Sequence, residues 1–142
     1  MPDKMLILRG IAGHYDGRDW PRGALYEQPA LEYARRRGYV GQVLDVAGTT
    51  GASSRQTLMA LVAFRGDDSI TALYGFSGGG YNVRHIIAAL NPTERSRIRL
   101  VVVLGAPQNP EDMYKGSWEL VYRKDPPRGH MDGPRALLEE LH

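Results

Sequence analysis

"ITALYGFSGGGYNVRHIIAAL", residues 70–90, decides the fold. The apolar run Ile70 to Tyr74 reads as a strand, and Val83, Ile86, Ile87 and Leu90 recur at helical spacing. Between them lie Gly75, Gly78, Gly79 and Gly80, with Ser77 held in the pattern G-x-S-x-G. So much glycine between a strand and a helix admits three readings. It could be a loop that cradles a phosphate, a strained turn that displays a reactive hydroxyl, or plain close packing.

Working outward, the same alternation repeats on both sides. Met5 to Leu8 reads as a buried strand, and a helix follows from about Pro29 to Arg37, since proline suits the first helical turn. "GQVLDVAG" supplies a second strand around Val43 to Val46. Ser53 or Ser54 can cap the next helix, where Leu58, Leu61 and Val62 share a face. After the central segment, which stops at Asn91-Pro92, "IRLVVVLGAP" gives a fourth strand from Ile98 to Leu104. It is apolar on both faces, as a central parallel strand is. "WELVYR" gives a fifth strand, and Pro134 opens a last helix. The crossover between them, residues 105–116, has room for a short or irregular helix. Strands alternating with helices predict a single domain over residues 1–142, a doubly wound α/β sandwich of three layers around a mainly parallel five-stranded sheet.

In such a sheet ligands bind beyond the carboxyl ends of the strands. Those ends here are "RGIAGHYDG", "DVAGTTG", "GFSGGG" and "KDPPRGH", all on one rim. The phosphate-loop reading fails its pattern, because no lysine follows the glycines and no G-x-G-x-x-G follows the first strand. A G-x-S-x-G string arises by chance in about one chain in ten of this glycine and serine content. Its placement carries more weight. It follows a strand, precedes a helix, and is followed by His130 in a later strand-end loop, which is the context of a nucleophile elbow.

On these residues the chain resembles the α/β-hydrolases, especially small lipases and esterases without a lid, in a truncated, minimal form. The resemblance covers Leu6–Gly13, the elbow Gly75–Gly79, the strand Leu100–Leu104 and the His130 loop. "RGIAG", residues 9–13, is similar to the H-G-x-x-G loop of such lipases, with Arg9 in place of the histidine. The resemblance implies the strand order 2-1-3-4-5. It implies Ser77 as nucleophile, His130 as base, and the amides of Ile11 and Gly78 as an oxyanion hole. Asp125, after the fifth strand, is the implied acid, with Asp112 after the fourth as the alternative. Asp132 lies nearer to His130 in sequence, too near to reach back to the far ring nitrogen. His14, Tyr15 and Phe76 are expected along the substrate cleft. The expected reaction is hydrolysis of a carboxylic ester or thioester by a Ser-His-Asp triad without a cofactor. The alternative is a non-catalytic binding or scaffold domain that kept the fold.

Composition narrows the rest. The chain has 142 residues, a formal net charge of +2 and no cysteine. Thiolate metal sites, disulfides and a cysteine nucleophile are excluded. His14, Asp16 and Asp19 lack a recognised metal-ligand spacing, so no metal site is expected. Arg35-Arg36-Arg37 sits at a helix end, where cations suit the dipole, and nucleic acid is not an expected partner. No apolar run is long enough for a secretory signal or a membrane span, so a cytoplasmic protein is expected. Missing outer strands would leave an exposed sheet edge, which admits a homodimer.

Overall fold

A computed structural model describes residues 2–10, 20–44 and 52–141, with the side chains of the first helix described from residue 27 onward. Five strands form one sheet: β1 (Lys4–Leu8), β2 (Val40–Val43), β3 (Ile70–Phe76), β4 (Leu100–Leu104) and β5 (Glu119–Arg123). Their order is β2-β1-β3-β4-β5, and all four neighbouring pairs run parallel. The helices are α1 (Trp20–Arg36), α2 (Ser54–Gly66), α3 (Gly78–Ala89), α4 (Pro92–Arg95) and α5 (Gly133–Glu139).

Successive strand side chains point to opposite faces, so each strand feeds two cores. Leu6, Leu8, Leu73, Val101 and Val103 meet Phe64 of α2 and Val83 and Ile86 of α3 on one face. Met5, Ile7, Tyr74, Phe76, Val102 and Leu104 meet Tyr33 of α1 and Leu137 of α5 on the other. The expected three-layer α/β sandwich, with its strand order, is therefore the fold. Every residue of β4 is buried. Each such aliphatic side chain contributes about 1.5–3 kcal/mol on leaving water. Among the described residues no helix is long and apolar enough to cross a membrane.

Four local expectations differ from the structure. The helix expected from Pro29 begins at Trp20, and Pro29 lies inside it. Buried contacts on both sides of the proline, at Glu27 and at Ala30, Tyr33 and Ala34, hold the helix through the lost hydrogen bond. The second strand is Val40–Val43 rather than 43–46, because its register with β1 pairs Lys4 with Val40 and Ile7 with Val43; Val46 lies outside the described residues. The fourth and fifth strands each start later than expected, at Leu100 and Glu119. In α2, Leu58 and Val62 are each 59% exposed, while Gln56, Ala60, Leu61 and Phe64 face inward. The inward face is fixed by a buried glutamine, which an apolar pattern does not register.

Candidate active site

The rim at the carboxyl ends of β1, β3, β4 and β5 gathers the described candidate residues. Ser77 ends β3 and starts α3 with φ 56° and ψ −119°, a backbone conformation that side chains other than glycine's rarely adopt. Holding it costs about 1–3 kcal/mol. Neighbouring backbone enforces it. The Ser77 amide donates to the Leu104 carbonyl at 2.7 Å, and the Ser77 carbonyl accepts from Gly80 N–H at 2.9 Å. The turn closes because β3 and α3 touch: a Cβ on Gly75 would come within 2.6 Å of the Gly79 carbonyl carbon, and one on Gly79 within 2.8 Å of the Leu8 carbonyl carbon. The end of β1 lies beside the serine, since a Cβ on Gly10 would stand 3.1 Å from Ser77 Cβ. Gly78 is buried at the first position of α3, where helix amides lack internal partners and favour negative charge.

His130 opens a short 3-10 turn, His130–Asp132, in the loop after β5. Its Nδ1 lies 2.7 Å from Asp125 Oδ1. A carboxylate only accepts, so this bond puts the proton on Nδ1 and leaves the Nε2 lone pair for proton transfer. The ring stacks on Phe76, the residue before Ser77, with centroids 4.9 Å apart and planes at 24°. The end of β4 presses on the pair from below. Gly105 has φ +64°, and a Cβ there would stand 2.7 Å from Asp125 Oδ1 and 2.8 Å from His130 Cε1. The histidine and aspartate side chains remain 38% and 40% exposed, so the pair is reachable from solvent. A cavity of about 420 Å³ lies against His130, lined also by Arg128, Met131, Asp132 and Arg135.

Of the residues expected in the site, the structure brings Asp125 and His130 together and sets Phe76 against them. Asp112 sits in a 3-10 turn, Glu111–Tyr114, and pairs with Lys115 at 3.0 Å. Asp132 pairs with Arg128 at 3.0 Å. Ile11, His14 and Tyr15 lie outside the described residues, as do Asp16 and Asp19. Among the described residues no cluster of three or more histidines and carboxylates could hold a metal ion.

The sequence pattern missed the supports behind the rim. Asn82, fully buried on α3, uses both ends of its amide. Its Oδ1 accepts from Ala52 N–H at 2.8 Å and from Gln56 Nε2 at 2.9 Å. Its Nδ2 donates to the Ser53 carbonyl at 2.9 Å and to Thr57 Oγ1 at 2.8 Å. Gln56 also donates to the Arg9 carbonyl at 3.0 Å, and the Ala52 amide to the Gly78 carbonyl at 3.0 Å. One polar network thus ties the end of β1, the start of α2 and the elbow. Arg9, which stands where the resembling loop has histidine, is buried in an ion pair with Glu27 of α1. Gln56 lies between Arg55 and Thr57 and Asn82 between Tyr81 and Val83, so no apolar pattern marked either as buried. Gly105, directly after the most apolar strand, gave only the hint of a tight turn.

No model of a known protein family matches this chain, and no curated protein matches it.

Proposed function

We propose that the chain is a small serine hydrolase of α/β-hydrolase type, cleaving a carboxylic ester or thioester. The conformation of Ser77 carries the reading: a serine at positive φ, on a strand-to-helix junction, lifts its hydroxyl clear of the backbone at the ligand-binding rim. The Asp125–His130 pair supports it by supplying an oriented base in the neighbouring loop. Ser77 Oγ attacks the acyl carbon while His130 Nε2 takes the hydroxyl proton. The Gly78 amide, with that of Ile11 by resemblance, stabilises the oxyanion. His130 then returns the proton to the departing alcohol or thiol, leaving an acyl-serine. Water, deprotonated by His130, attacks the acyl-serine, and collapse releases the carboxylic acid and free Ser77. Asp125 keeps the imidazole in the Nδ1–H tautomer and stabilises its cation. The reaction as written needs no cofactor. In this reading the partner is a small acyl ester or thioester, not nucleic acid, and the enzyme works in the cytoplasm.

The openness of Asp125 and His130 favours a second reading, a non-catalytic domain that binds a ligand on the same rim. Covalent capture separates the two. A fluorophosphonate should add its mass to the folded native chain and not to Ser77→Ala. A folded native chain that stays unmodified, or a Ser77→Ala chain modified equally, overturns the hydrolase reading.

A further inference from the structure

β5 ends the sheet, pairing with β4 on one side and with no described strand on the other. Which of its backbone groups face outward follows from the ladder. The Glu119 amide donates to the Arg99 carbonyl at 3.0 Å, and the Arg123 carbonyl accepts from the Gly105 amide at 3.0 Å. Strand groups alternate sides, so Glu119, Val121 and Arg123 face β4, while Leu120 and Tyr122 present N–H and C=O to the open edge. Among the described residues the Tyr122 carbonyl there is met by its neighbour's guanidinium, Arg123 Nη1, at 3.1 Å.

The strand reads Glu119-Leu120-Val121-Tyr122-Arg123, and this order is its own complement. Turned about Val121, Glu119 of one copy stands opposite Arg123 of another, and Leu120 opposite Tyr122. We infer that β5 is the contact of a twofold homodimer, in which two copies pair antiparallel through this edge and the sheet continues from one into the other. The outward N–H and C=O groups of Leu120 and Tyr122 then satisfy one another across the axis. The two cross-strand pairings are an ion pair and an aliphatic–aromatic pair, both favourable when directly opposed. Such an isologous contact closes on itself and uses up the β5 edge of both copies, so a third copy cannot add there. A strand guarded against pairing carries like charge along its edge; this one carries opposite signs at its two ends. Glu119 and Arg123 already meet Arg37 at 2.6 Å and Glu140 at 2.9 Å, with side chains 57% and 47% exposed. Exposed pairs of this kind stabilise little, so exchanging them across the axis costs little. An unrelated extended peptide could use the same backbone groups, but its charge order would have to match by coincidence, whereas a second copy matches by construction.

The contact does not depend on the hydrolase reading, because it involves neither Ser77 nor His130. Sedimentation velocity of the full chain, across a wide range of concentration, tests it. The native chain should sediment as a dimer. Glu119→Arg and Arg123→Glu should each raise the dimer dissociation constant about tenfold or more by opposing like charges twice in one interface. The double variant Glu119→Arg/Arg123→Glu should recover it. Leu120→Pro, which removes an outward N–H without touching the β4 ladder, should give a folded monomer by circular dichroism. A native chain that stays monomeric, single reversals that leave the dimer intact, or a double variant that fails to recover it each overturn the proposal. If Leu120→Pro fails to fold, the charge reversals decide alone.

Discussion

Ser77 and Ala52 are the non-glycine residues at positive φ among those described, and they adjoin the same network. Strain of this kind survives only where surrounding structure fixes it and something is gained by it. Ser77→Gly should therefore raise the thermal midpoint, by the equivalent of about 1 kcal/mol, while abolishing phosphonate labelling. A glycine variant no more stable than the native chain would show that the turn is unstrained. The acid can be tested with similar economy. Asp125→Asn keeps shape but favours the wrong imidazole tautomer, a change worth up to ~10⁴-fold in a serine protease. Ester turnover should fall steeply for Asp125→Asn and stay near native for Asp112→Asn, whose carboxylate is occupied by Lys115. At this scale much was legible. The spacing Gly75-x-Ser77-x-Gly79 after an apolar run pointed to a tight junction, and Asp125 follows the fifth strand, where the resemblance places the acid. Gly105 was not legible, because its constraint comes from side chains that arrive twenty or more residues later.

Among elements, α2 shows where pattern reading fails. Leu58 and Val62 look like a core stripe, yet the helix turns Gln56 inward to meet Asn82 and the Arg9 carbonyl. Hydrogen bonds to specific partners outrank hydrophobic count when the partners are buried and have no water to replace them. Asn82→Ala strands the Ala52 amide, the Ser53 carbonyl and the Gln56 and Thr57 side chains behind the elbow. Urea unfolding should show a loss of about 3 kcal/mol or more. Asn82→Asp should not rescue it, since an acceptor would then face the Ser53 carbonyl. Pro29 teaches a related point. Proline marks a first helical turn in isolation, but α1 continues through it because its buried face spans both sides.

For the whole molecule, the layered parallel sheet was the most legible property, read from the alternation of apolar strands with helices, while its strand order was implied by the resemblance. The layers are joined at their lower corners by surface contacts such as Lys4 with Asp67, which links the start of β1 to the turn before β3. Hydrogen bonds from Lys4, then from Ser69, hold the Asp67 carboxyl well below the usual carboxylate range, at about 2. A carboxylate depressed by folding favours the native state above its unfolded value, and that contribution disappears as pH falls toward the folded one. Melting temperature should therefore drop more steeply between about pH 4 and pH 2 for the native chain than for Asp67→Asn. Equal slopes would show that Asp67 is not coupled to folding.

The position of β5 beside β4 has a consequence for how the chain is made. β4 is apolar throughout and buried on both faces, yet its ladder partner β5 ends nineteen residues later, at Arg123 rather than Leu104. At ordinary elongation rates a ribosome takes roughly 1–4 s to add that length. During that interval the nascent chain offers the edge of "LVVVL" uncovered. Only after β5 emerges, followed by the loop of Asp125 and His130 and by α5, is the edge sealed and the rim complete. Asp125 and His130 thus follow β5 in the order of synthesis, and a chain stalled before β5 leaves the edge of its apolar β4 uncovered.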